Sequence, residues 1–182
     1  MKLDDRRYEE LKDIVASMFE IFDVRCVPIN CFEIADKMGV KLIPYSSFSK
    51  RKQQVLKDKS IDGFSTLDSD GVFKIFYNDE QPYERRQNTI MHEIGHILLD
   101  HSEDSDLAEA EVKFFAKFAL APPVLVHKFK CKNYLDIARI FEISLEASLY
   151  AWNYYQKWLK HASGKYLSCD LRIWRQVQEN IS

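Results

Sequence analysis

The chain of 182 residues is 46% hydrophobic and 30% charged with a formal net charge of −2, an ordinary globular balance long enough for one domain with a helical appendage. That charge gives no general affinity for nucleic acid, and no stretch reaches the roughly 18 apolar residues of a membrane-spanning helix. The opening residues are charged and lack the apolar core of a signal peptide, and Cys26, Cys31, Cys131 and Cys169 form no C-x-x-C pair, so a cytoplasmic protein with reduced, partly buried thiols is expected.

Residues 4–22 place Leu11, Ile14, Val15, Met18, Phe19 and Phe22 at helical spacing and read as an amphipathic helix. Pro28 interrupts, and Asn30 can cap a short helix over 31–38 that stops at Gly39. Residues 40–45 read as a strand. The polar, basic stretch 46–60, with Lys50, Arg51, Lys52, Lys57 and Lys59, reads as a solvated loop or surface helix rather than a nucleic-acid patch. Residues 61–67 and 72–77 read as two strands of a hairpin joined through S-D-G. Pro82 then sits early in a helix that runs to about Leu99. A polar turn leads to a helix over 106–120, ended by Pro122 and Pro123. A turn at 124–129 and helices at 134–141 and 145–159 follow, and Gly164 is the candidate boundary before an unassigned tail.

The segment I-M-H-E-I-G-H-I-L-L-D-H at 90–101 contains H-E-x-x-H at His92, Glu93 and His96. Four residues apart on a helix, the two imidazoles stack one turn apart on one face and can grip one tetrahedral metal ion. Zinc lowers the pKa of a bound water towards ~7, and a carboxylate placed like Glu93 can take its proton as it attacks a carbonyl. Ile90, Met91, Ile94, Ile97, Leu98 and Leu99 surround the motif, and buried polar side chains need partners. Gly95 costs about 1 kcal/mol in a helix relative to alanine, which close approach of another backbone would explain.

A catalytic zinc needs a third protein ligand and an open fourth position. The next helix offers Asp106, Glu109 and Glu111. Glu109 and Glu111 lie about 200° apart around a helix, so only one can face the metal, and the apolar pattern does not choose between them. His101 is a rival, although it points about 140° away from His96 if the motif helix continues.

These two segments, H-E-I-G-H-I-L-L-D-H and E-A-E-V-K-F-F-A-K-F-A-L-A-P-P, resemble the ImmA/IrrE metallo-endopeptidases. The family pattern is roughly H-E-[IL]-G-H-x-x-L-H followed by E-x-x-A-N-x-F-A-x-x-L-L-x-P. Phe115 and Ala116 match its F-A, and Pro122 its final proline. The likeness extends over most of residues 30–155. It implies that Glu109 is the third zinc ligand beside His92 and His96, with Glu93 as general base. It also implies a protein substrate, such as a helix-turn-helix transcriptional repressor or other regulator, often in a mobile element or stress response. One departure stands out: the family's A-N is Val112-Lys113 here. A lysine cannot accept a hydrogen bond from imidazole as an amide oxygen can, and such supporting bonds matter by ~10–100-fold in affinity or activity.

Possible donors to a developing oxyanion are His127, Tyr150, Tyr154, Tyr155 and His161, although these aromatics also suit simple packing. Residues 135–150 resemble a DNA-binding helix-turn-helix. The second helix has no arginine and carries Glu146 near its start, which favours a peptide-binding or scaffolding pair over direct DNA contact.

The expected fold is α+β: a small, mainly antiparallel sheet packed on a zincin-type H-E-x-x-H helix, then a helical C-terminal part. The expected domains are a metallopeptidase core with its N-terminal helix over 1–121, a helical subdomain over 122–163 and the tail 164–182. The expected function is zinc-dependent endopeptidase with Zn2+ as cofactor and an extended substrate held at the edge of the 72–77 strand. The alternative is a non-catalytic zinc-containing module that docks a transcription regulator.

Overall fold

The computed structural model describes residues 3–101, 105–162 and 166–178. The chain opens with α1 (Asp5–Ile21), whose N-cap Asp4 accepts from the Arg7 amide and whose stripe Leu11, Val15, Met18 and Phe19 is buried. Helix α2 (Cys31–Lys37) starts where Asn30 accepts from the amides of Phe32 and Glu33, as the sequence led one to expect. Strand β1 (Lys41–Pro44) and a 3-10 turn (Tyr45–Ser47) lead into α3 (Lys50–Lys59). This basic segment is a surface helix, burying only Gln53 and Leu56.

Strands β2 (Gly63–Leu67) and β3 (Phe73–Tyr77) form the hairpin. The spatial order is β1-β3-β2, with β2 antiparallel to β3 and β1 parallel to it. The sheet is therefore mixed, not mainly antiparallel. The reason is α3, which carries the chain from one edge of the sheet to the other and leaves the centre for β3. The same order corrects the substrate edge: β3 is hydrogen-bonded on both sides, so the free edge beside the site belongs to β2.

The motif helix α4 (Tyr83–Leu98) packs on β2 and β3, and α5 (Asp106–Leu120) returns alongside it. Two glycines set these distances. A Cβ at Gly63 would lie 2.7 Å from both the Phe76 carbonyl oxygen and Thr89 Cγ2, so only glycine lets β2 approach α4 this closely. A Cβ at Gly95 would lie 3.0 Å from Phe115 Cδ1 and 3.3 Å from Val112 Cγ1, both on α5. Gly95→Val is expected to destabilise the fold by about 1–3 kcal/mol through overpacking, read as a lower urea midpoint at unchanged slope.

Pro123 opens α6 (Pro123–Lys128), and α7 (Tyr134–Phe141) and α8 (Leu145–Ala162) form the helical pair. The tail left unassigned by the sequence contains α9 (Ser168–Gln176). It packs on α1 with Ile173 fully buried, and Arg172 bonds Glu20 and Ser17. Among the described residues no helix is long and apolar enough to cross a membrane. Cys31, Cys131 and Cys169 are buried free thiols, and burial pushes the last two up to about 11 and about 12.

Candidate metal centre

On α4, Ile90, Met91 and Ile94 are buried in the core, which turns His92 and His96 towards α5 and a cleft. Their rings meet edge to face with centroids 4.9 Å apart, and their Nε2 atoms lie 3.2 Å apart. The close contact at Gly95 draws α5 in, so that Glu109, one turn before Val112, completes the group. Its Oε1 lies 3.6 Å from His92 Nε2 and 3.4 Å from His96 Nε2.

Three donors in a triangle of 3.2, 3.4 and 3.6 Å edges could hold a metal ion. Tetrahedral coordination at zinc–ligand distances of about 2.0–2.2 Å places donors about 3.3–3.6 Å apart, so the residues present fit such an ion. Their protonation suits it too. Burial lowers the pKa of His92 against the opposing pull of Glu93 and Glu109, keeping that ring neutral at neutral pH. For Glu109 burial acts upward, but the Lys113 ammonium and the two imidazoles outweigh it and hold the carboxyl below its ordinary value.

Lys113 makes direct contact with the group. Its Nζ lies 3.1 Å from Glu109 Oε2, the oxygen not turned to the histidines. The lysine at the family's asparagine position thus supports the carboxylate rather than an imidazole.

Glu93 stands apart from the triangle. It is 8% exposed, and its Oε2 accepts a 2.7 Å hydrogen bond from the Ser65 hydroxyl of β2. Sequence reasoning missed Ser65, because its contact depends on how the hairpin seats against α4. Both residues line a cleft of about 600 Å³, with His92, His96 and Glu109 on its wall.

Glu111 and His101, the rivals for third ligand, make other contacts, although His101 also lines the cleft. Glu111 turns to the opposite flank of α5, where it accepts from Arg7 and contacts His101. Arg7 above all, then His101, holds the Glu111 carboxyl below its ordinary value. His101 escapes the 140° geometry because α4 ends at Leu98 in a Schellman turn: Asp100 adopts φ 53°, and the His101 amide bonds the His96 carbonyl. Its ring comes back to His96, but on the Nδ1 side, away from the triangle.

The C-terminal aromatics are not gathered at the cleft. His127 Nδ1 lies 2.9 Å from the Tyr155 hydroxyl, and both pack with Trp158. Tyr154 packs edge-on against Phe114 and Phe118. Tyr150 lines an adjoining groove that shares Glu109 and Lys113. The side chain of His161 lies outside the described residues.

An α+β fold with a three-donor group that could hold a metal, and a buried carboxylate beside it in a cleft, is compatible with a metallopeptidase-type protein. Residues 35–153 match the peptidase family described as the IrrE N-terminal-like domain, and the chain belongs to that family. A search of curated proteins finds no match. Helices α1 and α9 flank the matched segment.

Proposed function

We propose that this protein is a zinc-dependent endopeptidase of zincin-type arrangement, acting in the cytoplasm on a regulatory protein such as a helix-turn-helix repressor. His92, His96 and Glu109 are the zinc ligands and Glu93 is the general base. The observation that carries the reading is the donor triangle, matched in size to tetrahedral zinc, with a separate carboxylate beside it. Two imidazoles and a carboxylate with an open fourth position form the donor set of catalytic rather than closed structural zinc sites.

When bound, zinc supplies Lewis acidity, polarising a substrate carbonyl and lowering the pKa of water. The rest is work for the chain. Ser65 occupies Glu93 Oε2, which leaves Oε1 to take the proton of an attacking water and return it to the leaving amine. The free edge of β2, with Phe64 and Ser65 in the cleft wall, suits an extended substrate segment added as a strand. A regulator as substrate is part of this proposal and follows from the resemblance of the two motif segments alone.

The test is digestion of an unstructured peptide library by the zinc-loaded protein, followed by mass spectrometry. Internal cleavages that stop on chelation and return with zinc are expected. Intact peptides under all conditions would contradict the enzymatic reading. Ser65→Ala is expected to lower kcat by about 10-fold with little change in KM, because a hydrogen bond to a charged group is worth about 1.5–3 kcal/mol and part of it is replaced by water.

A further inference from the structure

The His96 imidazole is held from behind by a chain of side chains that the proposed chemistry does not use. Its Nδ1 lies 3.2 Å from Nδ1 of His101, and His101 Nε2 lies 2.9 Å from Glu111 Oε2. Glu111 in turn receives a fork from Arg7, with Nε 2.7 Å from Oε1 and Nη2 2.9 Å from Oε2. The side chains of His101 and Glu111 are 12% and 7% exposed, so water competes little for these bonds. Arg7 sits on α1, outside the segment that matches the family.

The hydrogens along this chain follow from what each group can do. A carboxylate bonded by a guanidinium on both oxygens is ionised and can only accept. His101 Nε2 must then carry a hydrogen, and in a neutral ring its Nδ1 is left with a lone pair. The hydrogen between the two Nδ1 atoms therefore belongs to His96. That leaves His96 Nε2 as a bare lone pair, aimed at His92 Nε2 and Glu109 Oε1.

We propose that Arg7, Glu111 and His101 form a positioning relay that fixes His96 in the tautomer with hydrogen on Nδ1, presenting its Nε2 to a metal ion. The relay rests on the metal-centre reading above. It gives the Schellman turn at Asp100 a purpose, since only a chain that reverses there brings His101 behind His96. It also ties the N-terminal helix to the site, because Arg7 fixes the carboxylate that sets the first hydrogen. Groups that orient a ligating imidazole in this way typically matter by ~10–100-fold in metal affinity.

Two measurements on the full chain test it. Long-range 1H–15N NMR of the metal-free protein at mildly alkaline pH reads the tautomer: hydrogen on His96 Nδ1 is expected, and hydrogen on Nε2 overturns the relay. Zinc competition against a chromophoric chelator reads the consequence. His101→Phe, which keeps a ring but no nitrogen, is expected to bind zinc ~10–100-fold more weakly. His101→Asn, whose Oδ1 replaces the accepting Nδ1, is expected to recover most of that loss. Arg7→Leu should act in the same direction as His101→Phe but by less. Thermal melting of the metal-free variants separates affinity from folding. A His101→Phe protein that melts like wild type and binds zinc equally well overturns the relay, as does an asparagine no better than phenylalanine. Failure of the wild type to bind zinc would instead refute the metal-centre reading, and the NMR tautomer would still decide the hydrogen-bond assignment.

Discussion

Glu93→Gln is expected to bind zinc as tightly as the wild type while its kcat for peptide hydrolysis falls by about 10²–10⁴-fold. Glutamine keeps the shape of the side chain and can still accept from the Ser65 hydroxyl, so the β2–α4 contact survives. What it loses is the ability to take a proton. Zinc affinity is spared because the proposed ligands are His92, His96 and Glu109, whose donor atoms approach one another within 3.2–3.6 Å without Glu93. Chelator competition and a fluorogenic peptide assay on the same preparation separate the two effects. Undiminished cleavage by the variant would place the base elsewhere. Tight zinc binding by a wild type inert towards every peptide would favour the non-catalytic docking module.

The second large effect separates the two glutamates of α5. Glu109→Ala is expected to lower zinc affinity by more than the ~10–100-fold typical of a residue behind the ligands. It removes a donor atom together with the negative charge that Lys113 now neutralises from the other side. Glu111→Ala is expected to affect zinc less and stability more. It strips both oxygens from the Arg7 fork and leaves a partly buried guanidinium and the His101 Nε2–H without their acceptor. A loss of about 1–3 kcal/mol follows from hydrogen bonds of this kind to charged groups, measured by urea unfolding of the metal-free proteins. The reverse ranking for zinc would move the third ligand to Glu111.

The parts of this molecule legible in the sequence are those set by neighbours along the chain. The spacing of His92, Glu93 and His96 places two imidazoles on one flank of a helix because helical geometry admits nothing else. Asn30 announces a helix start, and the proline pair ends α5 and opens α6. Gly95 marks a close approach, which α5 makes with the side chains of Phe115 and Val112 rather than with its backbone. The choice of Glu109 over Glu111 came from the family resemblance, since both lie on a helix apolar nearly all round. The structure separates them onto opposite flanks.

What escaped depends on long-range packing or on an unusual turn. The parallel pairing of β1 follows from where α3 delivers the chain, and nothing in the 46–60 composition specifies that path. Ser65 reaches Glu93 only after the hairpin docks on α4 through Gly63. Helical spacing points His101 away from His96 only where the helix continues past Leu98. The left-handed residue that stops it is Asp100 rather than the usual glycine, so the turn has no strong signature. The docking of α9 on α1 joins residues near the two ends of the chain, which no local pattern can announce.

The measurement that bears most directly on the metal centre is anomalous scattering at the zinc absorption edge from crystals grown with zinc. One strong peak is expected, within about 2.0–2.2 Å of His92 Nε2, His96 Nε2 and Glu109 Oε1 together. No peak in that triangle, or one held by His101 and Glu111 instead, would contradict the site.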